Sequence, residues 1–167
     1  CWGANEDPVP TPSIPDIAPG RGRLGLQIDE SIGDDEPVTD APLLDVPLAS
    51  DEFVVQLSAG AVSSCLLTSV GNVWCWGSDT FGSLGLPFRG IKTPNGNNGA
   101  FSAAAHAFPR GPVALSGRAV GISCGSGHAI VLLEGGGLQH FGLDAYGQSG
   151  RQYPGDDYSG RSDVPRA

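Results

Sequence analysis

The four cysteines are the residues whose type and spacing point most directly to a reaction, because two opposed thiols can form a disulfide. They are Cys1, Cys65, Cys75 and Cys124. The residues between the middle two read as a β-hairpin that turns at 69–72. If residue 67 pairs with residue 73, Cys65 lies directly across from Cys75, within reach of a disulfide. We therefore predict a Cys65–Cys75 disulfide and an oxidising compartment, with four reduced, buried thiols as the alternative.

An acidic run is the second candidate site, since clustered carboxylates can bind calcium. Its candidate ligands are Asp29, Asp34, Asp35 and Glu36. Calcium takes six or more oxygen ligands, which a flexible loop can supply, but the spacing is not that of an EF-hand. A solvated acidic loop is the favoured interpretation, so we assign no metal. Zinc is disfavoured as well, because the chain has no CxxC pair and no clustered histidines.

The three histidines, His106, His128 and His140, do not fall into a catalytic pattern. The sequence has no GxSxG, Walker or GxGxxG motif. His128 lies at a position that belongs to the repeat described below, which favours a structural role. His106 lies in 101–108, a segment that could form one short helix. We predict a non-enzymatic protein with no catalytic residues and no cofactor.

Composition excludes several other classes of protein. The 167 residues include 26 glycines and 14 prolines, too many for a helical bundle or a coiled coil. The formal net charge is −9 and Lys92 is the only lysine, so the chain lacks the basic surface that binds nucleic acid. No apolar run approaches the ~18 residues that a membrane-spanning helix needs. We expect a turn-rich, all-β protein that binds no nucleic acid and does not insert into a membrane.

An internal repeat organises the chain. Residues 54–86 and 119–151 align without a gap at an offset of 65 residues, with nine of 33 positions identical. Five of the nine are glycines, which indicates matching turns. Each unit reads as three short antiparallel strands, predicted at 54–57, 64–68 and 73–76 in the first unit and at 119–123, 129–133 and 138–141 in the second. Strands this short must stack against like units, as propeller blades do.

A third, partial copy opens the chain. The tripeptide at residues 1–3 repeats 75–77, and a Pro-rich insert at about 4–21 follows it. We therefore divide the chain into three parts. A partial blade with the Pro-rich insert and the acidic loop covers 1–53, a repeat with a long insert covers 54–118, and a second repeat with a C-terminal tail covers 119–167. The chain is expected to begin in the middle of a hairpin, as a fragment or a processed chain.

The order of residue types within each unit follows a known pattern. An apolar strand is followed by Ser-x-Gly, a small-residue strand, a Gly turn, Trp-Gly and Gly-x-Leu-Gly. This order resembles the RCC1 (regulator of chromosome condensation) repeat in its bacterial-style, Cys-containing variant. The second unit departs from it at Phe141 and Ser149, which replace Trp and Leu. The likeness assigns structural roles to one tryptophan and six glycines: Trp76, Gly77, Gly82, Gly85, Gly142, Gly147 and Gly150.

The resemblance implies the fold and the class of function. The expected fold is all-β, a partial RCC1-like β-propeller of about two to three blades. The expected function is that of a non-enzymatic interaction or scaffold protein within a larger assembly, with other protein subunits as partners. The alternative is a structural accessory subunit of an extracellular or membrane-associated complex. Guanine-nucleotide exchange, borrowed from the family's founding member, is disfavoured. The disulfide favours a secreted, periplasmic or otherwise oxidising location.

Overall fold

Among the residues that the structure describes, seven strands form two antiparallel sheets. The computed structural model describes residues 24, 37, 45–77, 82–85, 111–144, 146–150 and 161–166, the last range for its backbone alone. The strands are β1 (Val54–Ala59), β2 (Ser63–Thr68), β3 (Val73–Gly77), β4 (Ala119–Cys124), β5 (His128–Leu133), β6 (Leu138–Leu143) and β7 (Arg161–Arg166). Their order is β1-β2-β3 in the first sheet and β4-β5-β6-β7 in the second. The all-β, repeat-based fold is therefore confirmed.

The register of the first hairpin is the one that the sequence predicts. Leu67 pairs with Val73, which sets Cys65 against Cys75. The β1–β2 and β4–β5 ladders also share a shift of register. It lies between Val54 and Gln56 in the first sheet and between Ala119 and Gly121 in the second. The two shifts lie 65 residues apart, so the repeat extends to the detail of the strand pairing.

Matched glycines give the two units matched turns. Four pairs at the repeat offset have positive φ angles that agree closely: 88° and 92° at Gly71 and Gly136, 110° and 98° at Gly77 and Gly142, 71° and 74° at Gly82 and Gly147, and 63° and 69° at Gly85 and Gly150. Residues other than glycine rarely adopt positive φ angles of this kind. The recurrence of glycine in the sequence therefore reports a recurrence of backbone shape.

In each sheet, the third strand of the repeat pairs with a further segment on its outer side. In the second sheet β7 pairs with β6, so part of the segment predicted as a C-terminal tail is a strand. In the first sheet Pro112 bridges to Trp74, and the Val113 amide donates to the Val73 carbonyl at 2.7 Å. The segment at 112–113 thus lies along the edge of β3.

The main hydrophobic core lies between the two sheets. The first sheet contributes alternate residues of β2 and β3, and the second sheet contributes the facing residues of β4, β5 and β6. Its buried members are Cys65, Leu67, Val73, Cys75, Leu84, Val113, Ala119, Ile122, Ala129, Val131, Leu133 and Phe141. Period-2 alternation puts these side chains on one face of each strand.

The opposite face of the first sheet forms a second, smaller cluster. Leu66, Trp74 and Trp76 are buried there, with Val46 and Leu48 packed against them. The two tryptophans share one side of β3, as their spacing predicts. β2 and β3 are therefore covered on both faces.

Several predictions lie outside the described residues. These are the copy at residues 1–3, the Pro-rich insert, the acidic run Asp29 to Glu36, and the short helix with His106. Within the described ranges, no helix has the length and apolar character needed to cross a membrane.

Candidate protein-interaction surface

The predicted disulfide is present and faces the junction of the two sheets. Cys65 and Cys75 are bonded and buried in the main core. The same register positions in the second sheet hold Ile130 and His140, so the bond belongs to the first repeat alone. Cys124 is half-buried and is a free thiol. Burial raises the pKa of this thiol, which makes it a poor nucleophile at neutral pH.

Two side chains of β1 join the sheets by bonding to the backbone of β4. The Gln56 amide Nε2 donates to the Ile122 carbonyl at 2.8 Å, and the Ile122 amide donates to Gln56 Oε1 at 3.2 Å. Two residues further on, the Cys124 amide donates to Ser58 Oγ at 2.9 Å. The side chains satisfy backbone groups at the edge of the second sheet that its own ladder leaves open. We call Gln56 and Ser58 the Gln-x-Ser clamp.

Loss of the clamp amide should loosen the junction locally. Replacing Gln56 with alanine removes two hydrogen bonds and should lower the free energy of unfolding by about 1–2 kcal/mol. Gln56→Glu should recover only part of this loss, because its carboxylate can accept from the Ile122 amide but cannot donate to the Ile122 carbonyl. Hydrogen exchange should show faster exchange of the Ile122 amide in Gln56→Ala, with the core amide of Val131 as the reference. Unchanged protection at Ile122 would contradict the role of the clamp.

The backbones of the two sheets also meet closely beside the clamp. A Cβ at Gly60 would collide with the carbonyl oxygen of Gly125. The Ala61 amide donates to that same oxygen at 3.4 Å. In the second repeat, the matching space at Gly125 is filled by the ring of His128 instead. His128 therefore has a packing role here, and its ring centre lies 5.6 Å from that of His140.

A carboxylate fixes the segment that leads into β1. Glu52 Oε1 accepts hydrogen bonds from Thr68 Oγ1 at 2.5 Å and from Asn72 Nδ2 at 2.9 Å, and Oε2 accepts from the Ala49 amide at 3.4 Å. The bond from Thr68 is the main reason that the pKa of Glu52 is lowered, with Asn72 and Ala49 adding to it against a desolvation effect. The chain before β1 is thereby held to the turn between β2 and β3.

This contact predicts a pH dependence of stability. Because the pKa of Glu52 is lower in the folded protein, its contribution is present above the pKa of a free glutamate, about 4.3, and is lost as the pH falls through the folded value. Denaturation from neutral pH downwards should show a shallower acid decline in Glu52→Gln than in the parent protein. Glu134→Gln is the matched control, since Glu134 is an exposed glutamate on the other hairpin. Equal acid declines in the parent and Glu52→Gln would contradict the prediction.

The face of the second sheet that points away from the first sheet carries exposed apolar side chains beside the β5–β6 turn. Leu132 and Leu138 pair directly across β5 and β6 and are 40% and 58% exposed. Their counterparts 65 residues earlier, Leu67 and Val73, pair in the same way but are only 2% and 0% exposed, because the second sheet covers them. We call the exposed side the open face.

A second exposed apolar region lies along β1. Its residues are Phe53, Val54, Val55 and Leu57, of which Leu57 is the most open at 68% exposed. The residue that matches Leu57 in the second repeat, Ile122, is 4% exposed because β1 packs against it. The open face and this strand edge lie at opposite ends of the pair of sheets, where further sheets would continue the stack.

The acidic calcium candidates fall outside the described residues, and no group of three potential metal ligands occurs within them. The predicted structural residues Trp76, Gly82 and Gly85 are buried. The clamp and the Glu52 contact were not predicted. Gln56 is not repeated in the second unit, where the aligned residue is Gly121. Glu52 lies before the aligned region.

Comparisons with known proteins agree with this geometry. One family model of the regulator of chromosome condensation (RCC1) repeat matches residues 54–83 and again 119–148, and a second model of that repeat matches 70–132. The chain belongs to the RCC1 repeat family. The two matches of the first model start 65 residues apart, the offset of the internal repeat.

The curated relatives of this RCC1-repeat chain are much longer proteins. It is 31% identical over 151 residues to the probable E3 ubiquitin-protein ligase HERC4 of rat, mouse and human. The match covers 90% of this chain but only 11% of each relative. The chain thus spans about a tenth of the length of these relatives.

Solved structures show the same fold at low sequence identity. A chain in the crystal structure of Kap60 bound to yeast RCC1 (Prp20) has a TM-score of 0.55 at 21% identity, covering 72% of this chain and 25% of that one. Human WBSCR16 has a TM-score of 0.56 at 22% identity, covering 73% and 28%. The Prp20p structure from Saccharomyces cerevisiae, described with its binding to Gsp1p and histones, has a TM-score of 0.56 at 19% identity, covering 72% and 26%. The fold is a partial RCC1-like propeller.

Proposed function

We propose that this chain is a non-enzymatic, protein-binding part of an RCC1-type propeller that acts as a scaffold within a larger assembly. The observation that carries the proposal is the open face. Leu132 and Leu138 repeat the positions of Leu67 and Val73, yet only the first-sheet pair is covered by another sheet. Exposed contiguous apolar surface of this kind marks an interaction site. The occupant that fits it is another apolar sheet face of the RCC1 type.

The polar side chains of the described region support a binding role over catalysis. Gln56 and Ser58 bond to the backbone of β4, and Glu52 bonds to a turn. Asp144 accepts from the amide and the hydroxyl of Ser149 at 2.7 and 2.5 Å. These groups hold backbone in place. The ligase activity in the name of the curated relatives belongs to proteins of which this chain matches 11%.

The proposal is tested by charge substitution on the open face. Leu138→Glu and Leu132→Glu should abolish co-purification of the proteins that the wild-type chain retains from its native source, because a carboxylate would be desolvated in the contact. Tyr146→Glu is the matched control, since Tyr146 is an exposed apolar residue in a loop away from the face. If the wild type retains no protein in excess of an untagged control, or if the face variants retain the same proteins as Tyr146→Glu, the proposal is wrong.

We further propose that the protein works in an oxidising compartment, which would suit a structural subunit of an extracellular or membrane-associated complex. The Cys65–Cys75 bond supports this, because such bonds are rare where thiols are kept reduced. The intact mass of the native protein should rise by two hydrogen atoms on reduction. No rise would reject the oxidising location.

The alternative function, guanine-nucleotide exchange, is tested by measuring nucleotide release from a small GTPase. The purified chain should not accelerate nucleotide release from a small GTPase, and acceleration lost on mutation of its own residues would overturn the non-enzymatic assignment.

A further inference from the structure

We infer that Cys124 is a built-in exchange partner of the Cys65–Cys75 disulfide, able to move that bond from within the first sheet to the junction of the two sheets. The step is a thiol–disulfide exchange. The Cys124 thiol gives its proton to water, and its sulfur then forms a bond with Cys65 Sγ. The Cys65–Cys75 bond breaks with its electron pair on Cys75 Sγ, which takes up a proton. One disulfide replaces another, so the exchange needs no oxidant or reductant.

The Gln-x-Ser clamp places Cys124 beside the disulfide. Ser58 of the clamp pairs directly with Cys65 across β1 and β2, so the two side chains lie on the same face of the first sheet. The Cys124 amide donates to Ser58 Oγ at 2.9 Å. Cys124 also packs against the main core, of which Cys65 and Cys75 are buried members. The free thiol and the disulfide therefore belong to the same contact between the sheets.

Both reacting groups depart from the internal repeat. The second repeat has Ile130 and His140 at the positions of the disulfide. The first repeat has Ala59 at the position of Cys124. A free thiol present in one repeat thus meets a disulfide present in the other, and the two departures fall at the same junction.

The order of the strands favours Cys65 over Cys75 as the sulfur that is attacked. β4, which carries Cys124, packs on β1 and β2. Cys75 lies on β3, which is separated from β1 by β2. Attack on Cys65 Sγ makes Cys75 the leaving group, and the new bond joins β2 to β4.

The surroundings of the Cys124 thiol keep the exchange slow in the resting protein. Burial raises the pKa of this thiol, and hydrogen bonds from the Ser58 hydroxyl and the Cys65 backbone lower it in part. No charged group of the described residues contributes to this shift. Because only the thiolate attacks a disulfide, the Cys65–Cys75 bond is the resting form, and exchange becomes faster where more of the thiol is ionised.

Exchange would change what the disulfide constrains. The Cys65–Cys75 bond joins neighbouring strands of one hairpin, at a sequence separation of 10 residues. A Cys65–Cys124 bond joins different repeats and closes a much longer loop, which constrains the unfolded chain more strongly. The exchanged form should therefore resist separation of the two sheets.

The exchange is tested on the wild-type chain by mapping its disulfides before and after incubation at mildly alkaline pH. Free thiols are blocked with N-ethylmaleimide at each time point, and the protein is then cut with trypsin. Cys65 and Cys75 fall in the tryptic peptide 24–89, and Cys124 falls in 119–151. Exchange should convert a bond inside the first peptide into a bond between the two peptides, and the blocked thiol should change from Cys124 to Cys75. The rate should not depend on protein concentration, because the reaction takes place within one molecule.

Serine variants identify the reacting sulfur. Cys75→Ser leaves Cys65 and Cys124 as free thiols, which oxidised glutathione should join in a bond between the sheets. Cys65→Ser is the matched control, since it has the same number of thiols. Its Cys75–Cys124 bond should form at least about tenfold more slowly, because Cys75 is not positioned beside Cys124. Cys124→Ser should keep the Cys65–Cys75 bond throughout the alkaline incubation.

Three results would overturn the inference. The first is a wild-type chain in which the Cys65–Cys75 bond is unchanged after the incubation. The second is an equal rate of bond formation in Cys75→Ser and Cys65→Ser. The third is a native protein in which Cys124 is bonded to Cys1, which would leave no thiol to attack. The inference goes beyond the proposed function, because a scaffold needs no movement of its disulfide.

Discussion

Replacing Gly142 with alanine is expected to destabilise the protein by about 3 kcal/mol, through backbone strain and a steric clash together. Its φ of 98° lies where L side chains are strained. The added Cβ would also collide with the carbonyl oxygen of Gly127, and backbone cannot move aside as a flexible side chain can. Urea denaturation of Gly142→Ala should show the loss as a lower midpoint without a change of slope.

The repeat supplies a second copy of this experiment. Gly77 has a φ of 110°, and a Cβ there would lie 2.6 Å from the Val62 carbonyl oxygen, so Gly77→Ala should lose a similar amount. Gly117→Ala is the matched control, because its Cβ would meet only Leu133 Cδ1 at 3.9 Å. A loss at Gly142 or Gly77 no larger than that of the control would show that the turn can relax.

The hairpins were predictable from the sequence because their causes are local. Gly71 and Gly136 mark the two turns, and alternation of apolar residues sets which side chains face the core. Once a turn is placed, the pairing of Leu67 with Val73 fixes the pairing of Cys65 with Cys75. The internal repeat then carries the same reasoning to the second sheet.

The contacts between the sheets were not predictable in this way. The Gln56 amide meets Ile122 across 66 positions of sequence. No local pattern distinguishes a glutamine that reaches another sheet from one that faces solvent, and its repeat counterpart is a glycine. β7 was missed because 161–166 is rich in charged residues and contains a proline, which is tolerated at a sheet edge but lowers strand propensity.

The second repeat keeps the loop shape of the first although a serine stands in place of the leucine. Leu84 is fully buried in the main core, whereas its counterpart Ser149 hydrogen-bonds to Asp144. The backbone angles of the following glycines, Gly85 and Gly150, nevertheless agree within a few degrees. The same loop shape thus occurs with a buried leucine in one repeat and with a hydrogen-bonded serine in the other. The departure at Ser149 is visible in the sequence, whereas its hydrogen bonds to Asp144 are seen only in the structure.

Removing the ring of Phe141 should have the largest effect of any side-chain truncation in the main core, because Phe141 is the largest side chain buried there. Phe141 is fully buried where β6 meets the first sheet, and a Cβ at Gly85 would lie 2.9 Å from both its ring and Val113 Cγ1. Phe141→Ala should therefore leave a cavity between the sheets and lower the free energy of unfolding by about 3–5 kcal/mol. Tyr146→Ala, a truncation of an exposed aromatic residue, should change it by less than about 0.5 kcal/mol.

The coupling between two substitutions in the core tells whether the two sheets fold as one unit. If they do, Phe141→Ala and Val113→Ala should be non-additive in a double-mutant cycle, since both line the space beside Gly85. If the double variant is too unstable to measure, Phe141→Leu can replace Phe141→Ala in the cycle. Strict additivity, or a Phe141→Ala loss as small as that of Tyr146→Ala, would mean that the ring does not join the sheets. Non-additivity would make the junction a cooperative contact, as the burial of Cys65, Val73 and Phe141 in one core requires.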